Sequence, residues 1–298
     1  MPEKELSHFD EHFFVSGHTA CPGCGQSLAA RLVVDTAGKN TILTNATGCL
    51  EVFSTKAPQS SWRLAWIHSL FENSAAVASG IEAALRYLGK IDNIRVIAQA
   101  GDGGTADIGL QALSGMLERG HDVLFVCYDN EAYMNTGIQR SGLTSFLAST
   151  TTSPSGRLWK GNWRMKKPVV EICAAHFIPY AATASVGFPQ DLQRKVKKAL
   201  DIRGPKYLQI HCPCPLGWGF DSSLTLEIAK LAVMSGLYPL IEYEYGKLVN
   251  VFKITPRPVV DYVKPQRRFR HLLKDREALD SLQKIADKNI DYYGLLKK

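Results

Sequence analysis

From residue 74 to residue 211 the sequence alternates between helical spacing and short apolar runs, and this alternation limits the fold more than any other feature. The spacing predicts helices over 74–88, 106–119, 169–176 and 192–200, and strands over 95–100, 122–128, 180–186 and 206–211. Two parallel strands need a crossover connection between them, usually a helix. The alternation therefore predicts an α/β fold with a mostly parallel sheet and helices on both faces.

Two regions depart from this alternation. Residues 135–168 are rich in Thr, Ser and Gly, and loops of this length inside a compact domain are usually functional or disordered. After residue 220 we predict one helix over 224–235, followed by a tail that is punctuated by Pro and rich in Tyr and Arg. We therefore predict a main α/β domain over 1–220 and a C-terminal docking arm over 221–298.

Composition excludes several classes of protein. The 298 residues carry 35 Lys and Arg against 28 Asp and Glu, a net charge of +7, but the cations are scattered rather than clustered. This distribution argues against nucleic-acid binding and favours an acidic protein partner. No apolar run approaches the roughly 18 residues that span a bilayer, and the polar residues 1–12 do not form a signal peptide. We expect a cytoplasmic protein that does not contact a membrane.

The most informative local pattern is a glycine-rich turn that follows a predicted strand. The strand over 95–100 runs into Gly101-Asp102-Gly103-Gly104, and the next strand ends at Asp129-Asn130. In a parallel sheet both ends meet at the edge where ligands bind, so Asn130 is predicted beside Asp102. The turn also fits the dinucleotide pattern G-x-G-x-x-A, but a carboxylate there repels a pyrophosphate unless a cation such as Mg²⁺ lies between them. Two ordinary turns that use Asp and Asn remain the alternative.

These residues form part of a longer set of strings. Gly101-Asp102-Gly103, 26 intervening residues and Asn130 resemble the thiamine diphosphate motif. The strings DNEAYMNTGIQRSG (129–142) and TTTSPSG (150–156) resemble the 2-oxoacid:ferredoxin oxidoreductases of the pyruvate synthase type. Four further strings match the same family: CPGCG (21–25), NATGC (45–49), HSLFENSAAVASGIEAA (68–84) and PCPLGW (213–218). The resemblance covers at least residues 17–220 and identifies the chain with the β subunit, which binds thiamine diphosphate.

The resemblance implies a set of site residues. It assigns three Mg²⁺ ligands, the Asp102 carboxylate, the Asn130 side chain and the backbone carbonyl of Ala132. It places Asn135 of the MNTG string near the substrate and the thiazolium ring, as the catalytic residue of this chain. The expected cofactor-binding glycines are Gly48, Gly101 and Gly103.

The cysteines give a second expected site. Seven cysteines without a signal peptide are not a disulfide framework. Four thiolates hold a [4Fe–4S] cluster, and the resemblance assigns them to Cys21, Cys24, Cys49 and Cys214. Cys212 lies two residues before Cys214, so alternation along a strand points both to one face and leaves their exchange open. Structural zinc, which also takes four thiolates, is the other alternative. The remaining cysteines, Cys127 and Cys173, lie in apolar patterns and are expected in the core.

A third group of residues has weaker claims to a function. Both His18 and His68 lie in strings shared with the family, but hydrogen-bonded structural histidines are the more common case. Four tryptophans line a pocket or simply pack: Trp62, Trp66, Trp159 and Trp163. Glu51 offers a carboxylic acid for the thiamine N1′ atom, an acid that thiamine catalysis requires. The resemblance implies instead that this glutamate comes from the partner α subunit.

The resemblance implies oxidative decarboxylation of a 2-oxoacid. Electrons leave singly through the cluster to ferredoxin, coenzyme A captures the acyl group, and a ferredoxin-like subunit carries further clusters. A non-redox thiamine decarboxylase or synthase and a non-catalytic electron-transfer subunit are the alternatives. Many pyruvate-type relatives have T-P-(Tyr/Phe)-G where this chain has Thr144-Ser145-Phe146-Leu147. Pyruvate, another 2-oxoacid and oxalate therefore all remain open as substrates.

Overall fold

An eight-stranded sheet forms the centre of the protein in the computed structural model, which describes residues 12–56, 58 and 60–297. The strands are β1 (Thr41–Asn45), β2 (Ala65–His68), β3 (Arg95–Gly101), β4 (Leu124–Asp129), β5 (Tyr180–Ser185), β6 (Lys206–His211), β7 (Ile241–Glu244) and β8 (Lys247–Val251). Their order across the sheet is β2-β1-β3-β4-β6-β5-β7-β8. The six strands from β2 to β5 in this order pair in parallel, and β7 and β8 are antiparallel.

Helices connect the parallel strands and cover both faces of the sheet. They are α1 (Gly25–Ala37), α2 (Cys49–Ser54), α3 (Ser74–Tyr87), α4 (Asp102–Ala106), α5 (Leu110–Glu118), α6 (Val169–Ala174), α7 (Pro189–Asp201), α8 (Pro215–Trp218), α9 (Thr225–Met234), α10 (Val259–Val263) and α11 (Arg276–Tyr293), with 3₁₀ helices at Ser222–Leu224 and Arg267–Lys274. The predicted α/β fold with a mostly parallel sheet is confirmed.

The apolar pattern of the strands explains why the sheet is buried on both faces. Every residue of β4, β5 and β6 is buried, as expected for parallel strands between two helical layers. One core packs α1 and α7 on the sheet, through residues such as Val33 and Val196. The other core packs α3, α5 and α6 on the opposite face, through residues such as Met116 and Val170.

One predicted helix differs from the structure at the glycine-rich turn. Instead of one helix over 106–119, the segment forms α4 directly from Asp102, breaks at Asp107 and resumes as α5. Asp107 leaves helical geometry with ψ −93°. Its carboxylate accepts a hydrogen bond from the Gly142 backbone N–H and forms an ion pair with Lys167. The break therefore ties the turn to the loop over 135–168.

The segment after residue 220 contributes more structure than the sequence analysis predicts. It contains the predicted helix as α9, but also the β7–β8 hairpin, which turns at Tyr245 and Gly246 with φ of 48° and 77°. A third core joins this segment to the loop before it, for example through Leu147 and Phe269. The division at residue 220 stays a prediction.

The structure bears on the expected absence of a membrane-spanning helix. Within 12–56, 58 and 60–297, no helix is long and apolar enough to cross a bilayer. The polar residues 1–11, on which the absence of a signal peptide is argued, lie outside the described residues.

Candidate cofactor site

The glycine-rich turn and the end of the next strand meet at the carboxyl edge of the sheet. Strands β3 and β4 are neighbours, with Gly101 opposite Tyr128, so Asp102 and Asn130 both follow the ends of adjacent parallel strands. Both residues are buried. The structure therefore brings together the two side chains that the strand pattern places side by side.

Three oxygen atoms converge between these two strand ends. The side-chain oxygen of Asn130 lies 2.9 Å from the backbone oxygen of Ala132 and 3.0 Å from Asp102 Oδ1. These are acceptors that face one another, and either a rotated amide or a cation is needed to satisfy them. In an octahedron with Mg–O distances of about 2.05 Å, neighbouring oxygens lie about 2.9 Å apart. The donor set and its spacing fit Mg²⁺.

The carboxylate of Asp102 is held by a buried hydroxyl. Ser141 Oγ donates a hydrogen bond to Asp102 Oδ2, and Asp102 is 1% exposed. Burial raises the pKa of Asp102, and the nearby charge of Asp129 raises it further. An ionised carboxylate in this position is costly unless a cation lies beside it, which again fits a metal at this site.

A small cavity opens beside the three oxygens. It measures about 40 Å³ and includes Gly48, Asp102, Asn130 and Asn135 in its walls. A Cβ at Gly48, where φ is 157°, or at Gly101 would meet nothing within 4 Å, so both glycines leave open space. These open positions form a cradle for a ligand.

Gly103 has a different role from the other two glycines. A Cβ on Gly103 would lie 2.4 Å from the ring of Tyr133, so this glycine allows the close approach of that ring. Tyr133 also donates from its hydroxyl to the Gly103 backbone oxygen at 3.3 Å. The ring therefore packs directly on the start of α4.

A second cavity of about 220 Å³ adjoins the first and collects the cysteines. Five of the seven line it: Cys21, Cys24, Cys49, Cys212 and Cys214. The two cavities share several wall residues: Gln26, Cys49, Asn130, Met134 and Asn135. Asn135 is therefore exposed at the junction of the two spaces, next to both sets of expected ligands.

Close backbone packing brings the distant cysteine segments together. The Gly25 N–H donates to the Pro213 backbone oxygen at 3.2 Å, and a Cβ at Gly25 would lie only 2.8 Å from that oxygen. Gly25 therefore allows the start of α1, which follows Cys24, to approach the segment that carries Cys214. Sequence spacing alone does not show this contact.

Two of these thiols, those of Cys49 and Cys214, have raised pKa values. Burial raises the pKa of Cys49 to about 12, and the neighbouring Cys214 and Cys24 raise it as well. Burial also raises the pKa of Cys214 to about 11, although its sulfur accepts the Gly217 N–H at 3.3 Å. Without a metal these two groups are neutral thiols, and binding a metal would release their protons.

Cys212 and Cys214 differ in their surroundings. Cys212 is fully buried in the core between α1 and α7, and its thiol donates to the Ile210 backbone oxygen at 3.2 Å. Cys214 is partly exposed and caps the N-terminus of α8. The other two cysteines, Cys127 and Cys173, are buried in the core on the opposite face of the sheet. Among the described residues, no three Cys, His, Asp or Glu side chains come close enough to share one metal ion.

The histidines and Glu51 make local contacts. His18 stacks on Phe14 with ring centroids 5.1 Å apart, and His68 Nε2 lies 2.9 Å from Thr47 Oγ1. Glu51 Oε1 accepts a hydrogen bond from Thr55 of the following turn at 3.4 Å.

The tryptophans fall into two groups. Trp62 is buried and donates to Ser54 at 2.9 Å, and it stacks on Trp66 at 6.3 Å. Trp159 and Trp163 are 62% and 59% exposed on the loop over 135–168. This pair therefore neither lines the cavities described above nor packs in the core.

Sequence reasoning missed the residues that support the oxygen cluster from outside. Ser141 lies in the family-like string over 129–142, so the sequence could have pointed to it. Arg268, whose guanidinium contacts Glu131, lies 137 positions after Glu131 in the chain, and no sequence pattern pointed to it.

Comparisons with known proteins agree with this geometry. A family model described as "Thiamine pyrophosphate enzyme, C-terminal TPP binding domain" matches residues 46–210. The chain is 55% identical to the pyruvate synthase subunit PorB of Methanosarcina barkeri, covering 95% of this chain and 97% of that protein. It is 54% identical to PorB of Methanocaldococcus jannaschii (96% and 97%) and 50% identical to the ketoisovalerate oxidoreductase subunit VorB of Pyrococcus furiosus (93% and 90%).

A solved structure shares the fold. The chain superposes with a TM-score of 0.60 and 19% identity on the 2-oxoglutarate:ferredoxin oxidoreductase from Magnetococcus marinus with 2-oxoglutarate, coenzyme A and succinyl-CoA bound. The match covers 94% of this chain and 93% of the other.

Proposed function

Because this chain belongs to the thiamine pyrophosphate enzymes, in the group of the pyruvate synthase PorB subunits, we propose that its two adjoining cavities hold thiamine diphosphate with Mg²⁺ and a [4Fe–4S] cluster. The chain is a subunit of a 2-oxoacid oxidoreductase, and the reaction is thiamine-dependent oxidative decarboxylation. The observation that carries the proposal is the convergence of the Asn130, Ala132 and Asp102 oxygens at the carboxyl edge of the sheet.

The metal ligands are proposed to be these same three oxygens. Asp102 supplies the negative charge, while Asn130 and Ala132 supply neutral oxygens, a set that hard cations prefer. A cation held by these residues would offset the cost of the buried Asp102 carboxylate and would supply positive charge for a phosphate group. The open faces at Gly48 and Gly101 then leave room for the diphosphate.

The remaining chemistry belongs to the cofactor. When bound, thiamine diphosphate supplies a nucleophilic carbon for the keto group and takes up the electron pair that CO2 leaves behind. The chain orients the reactants and shields them from water. Asn135, exposed at the junction of the cavities, is proposed to contact the substrate as the catalytic residue of this chain.

The cluster ligands are proposed to be Cys21, Cys24, Cys49 and Cys214. These cysteines line a cavity of about 220 Å³. The cavity is larger than a single zinc ion needs, so its size favours an iron–sulfur cluster. Cys214 is preferred to Cys212 because Cys212 is fully buried in the core and donates to Ile210. Because the two cavities share wall residues, a cluster held by these cysteines would lie next to the thiamine site.

The chain works with other subunits, as its relatives are themselves named as subunits. We propose an α subunit that supplies the acid at the thiamine N1′ atom, a ferredoxin-like subunit, ferredoxin as electron acceptor and coenzyme A as acyl acceptor. The solved neighbour contains coenzyme A, which supports that last assignment. A cytoplasmic location remains part of the same proposal.

The substrate is proposed to be pyruvate or a close 2-oxoacid. The relatives include both pyruvate and ketoisovalerate enzymes, so the size of the substrate's side chain is the choice to be tested. An assay of the assembled enzyme with pyruvate, ketoisovalerate, 2-oxoglutarate and oxalate tests this choice. Activity with pyruvate that exceeds the others is expected, whereas preference for oxalate would contradict it.

One preparation tests the cofactor proposal as a whole. The purified enzyme is expected to be brown, with broad absorption near 400 nm from the cluster, and to contain thiamine diphosphate and Mg²⁺. Colourless protein that contains thiamine diphosphate would support a non-redox thiamine enzyme. Brown protein without any thiamine diphosphate would support an electron-transfer subunit.

A further inference from the structure

Glu131 lies between two of the proposed metal ligands in an unusual backbone conformation. Its φ is +64°, in the left-handed region that residues with a side chain rarely adopt. Such a conformation persists when surrounding contacts hold it, and it often marks a functional site. Here it brings the Asn130 side chain and the Ala132 backbone oxygen, on either side of Glu131, to within 2.9 Å of each other.

The Glu131 side chain is held by two cations and a hydroxyl group. Its carboxylate accepts hydrogen bonds from Arg268 Nη1 at 2.6 Å, Lys166 Nζ at 2.9 Å and Ser145 Oγ at 2.7 Å. The Glu131 side chain is 2% exposed and that of Arg268 is 4% exposed. Its backbone oxygen accepts a further hydrogen bond from Thr144 at 2.7 Å. The residue is thus fixed at both its side chain and its backbone.

Arg268 connects this loop to the C-terminal segment. It lies in the 3₁₀ helix Arg267–Lys274, and its other nitrogens donate to Tyr262 at 2.9 Å and Gln266 at 2.8 Å. Its guanidinium stacks 3.5 Å above the ring of Trp218. Trp218 in turn donates from Nε1 to the Asn130 backbone oxygen at 2.8 Å. Arg268 therefore supports the loop over 130–132 both directly and through Trp218.

We propose that Glu131 and Arg268 form a positioning pair that holds the metal-binding loop in its left-handed turn. The inference rests on the proposed Mg²⁺ site at Asp102, Asn130 and Ala132. It gives the segment over 221–298 a role in cofactor binding, in addition to the docking role that the sequence predicts.

Because Glu131 and Arg268 carry opposite charges, single variants distinguish a positioning role from a purely electrostatic effect on the metal. Glu131→Gln removes a negative charge near the metal, and Arg268→Gln removes a positive one. If the pair acted only through its field, the first change would weaken cation binding and the second would strengthen it. If the pair holds the loop, both changes weaken cation binding, and the double variant binds no more weakly than the worse single variant.

The metal preference gives a second readout. Mg²⁺ requires near-ideal octahedral geometry, whereas Ca²⁺ accepts flexible sites. A loosened loop is therefore expected to lose Mg²⁺ affinity more than Ca²⁺ affinity. A general loss of folding stability would lower both affinities without changing their ratio.

The experiment is calorimetric titration of Mg²⁺ and of Ca²⁺ into the full chain with excess thiamine diphosphate. We expect about tenfold or greater loss of Mg²⁺ affinity in each single variant, together with a higher ratio of Ca²⁺ to Mg²⁺ affinity. Arg257→Gln is the control, because Arg257 forms an exposed pair with Asp261 in the same segment, and it is expected to bind like wild type.

Each outcome decides between the possibilities. Unchanged or tighter Mg²⁺ binding by Arg268→Gln overturns the positioning role, and so does an equal loss for both cations. If circular dichroism shows that Arg268→Gln does not fold, Arg268→Lys carries the test, because it keeps the charge but loses the planar stack on Trp218. A wild-type chain that binds neither cation overturns the proposed metal site itself.

Discussion

The side-chain oxygen of Asn130 lies 3.0 Å from Asp102 Oδ1, although the two residues follow different strands. Neither oxygen carries a proton to share when Asp102 is ionised, so the contact is repulsive unless the amide is rotated or a cation lies between the two oxygens. The same Asn130 oxygen also faces the backbone oxygen of Ala132. This relationship supports the proposed metal site at the edge of the sheet.

Replacing Asp102 is expected to weaken cofactor binding without destabilising the fold. Asp102→Asn removes the strongest metal ligand, so we expect thiamine diphosphate to bind about tenfold to a hundredfold more weakly in excess Mg²⁺. The cofactor-free variant is expected to melt at the same or a higher temperature, because the buried carboxylate with its raised pKa is gone. Calorimetric titration and thermal melting give the two numbers. Asp92→Asn, at an exposed pair with Arg203, is the control, and equal affinity of Asp102→Asn and wild type would refute the site.

Removing a proposed cluster ligand is expected to remove the iron. Cys49 is the first residue of α2 and lies in the wall that the two cavities share. We expect Cys49→Ser to lose most iron and visible absorption and to stop ferredoxin reduction. Cys127→Ala is the control, because this residue is buried in the core and its variant is expected to keep the absorption. Full iron content in Cys49→Ser would end the assignment.

Two neighbouring cysteines are expected to respond differently. Cys214→Ser should lose iron, whereas Cys212→Ser should retain it and lose about 1–3 kcal/mol of stability, because a hydroxyl enters an apolar core. Iron analysis and chemical denaturation of both variants compare the two effects. The reverse pattern, with iron lost only in Cys212→Ser, would make Cys212 the fourth ligand.

The sequence predicts the part of the site that strand register controls. Fully buried parallel strands have continuous apolar runs, so β3 to β6 and the meeting of Asp102 with Asn130 are predictable. The edge strand β2 has only four residues with mixed exposure, and the β7–β8 hairpin is short and partly exposed, so neither has a clear apolar pattern.

Contacts across long sequence separations are not predictable in this way. The ion pair between Glu131 and Arg268 and the approach of Gly25 to Pro213 both join segments that lie far apart in the sequence. A single sequence gives spacing along the chain, and spacing carries information about neighbours in one element or in adjacent strands. The ligands are therefore proposed from motifs, while the residues that support them required the structure.

A buried glutamate on β7 predicts a pH dependence of stability. Glu242 accepts hydrogen bonds from Tyr180 at 2.7 Å, Arg194 at 2.6 Å, Lys198 at 3.0 Å and Asn250 at 2.7 Å. Burial alone would raise the pKa of Glu242, but the hydrogen bonds from Arg194, Asn250 and Tyr180 lower it below its usual range. Because the folded-state pKa is lowered, this stabilisation is complete above the unfolded pKa of about 4.3 and is lost as the pH falls below it.

The matching variant is Glu242→Gln. At pH 7 we expect it to lose about 2 kcal/mol of unfolding free energy, since the buried side chain no longer carries the charge that pairs with the partly exposed Arg194 and Lys198. The difference from wild type should shrink as the pH falls below about 4.3. Thermal melts across pH 3 to 7 measure this, with Glu244→Gln as a more exposed control. A difference that stays constant over the whole range would show that the charge of Glu242 is not responsible.

The isolated chain is expected to be nearly inactive without a partner subunit. Thiamine activation requires a carboxylic acid at N1′, and within the described part of the chain the only carboxylate lining either cavity is Asp102, which is committed to the metal. Glu51 lies two residues after Cys49 and accepts a hydrogen bond from Thr55 in its own helical turn. We therefore propose that the acid comes from another subunit. We expect the isolated, cluster-loaded chain with thiamine diphosphate, Mg²⁺ and an artificial electron acceptor to release CO2 about 100-fold or more slowly than the assembled enzyme. Turnover comparable to that of the assembled enzyme, lost on Glu51→Gln but kept in Glu72→Gln, would instead assign the acid to this chain.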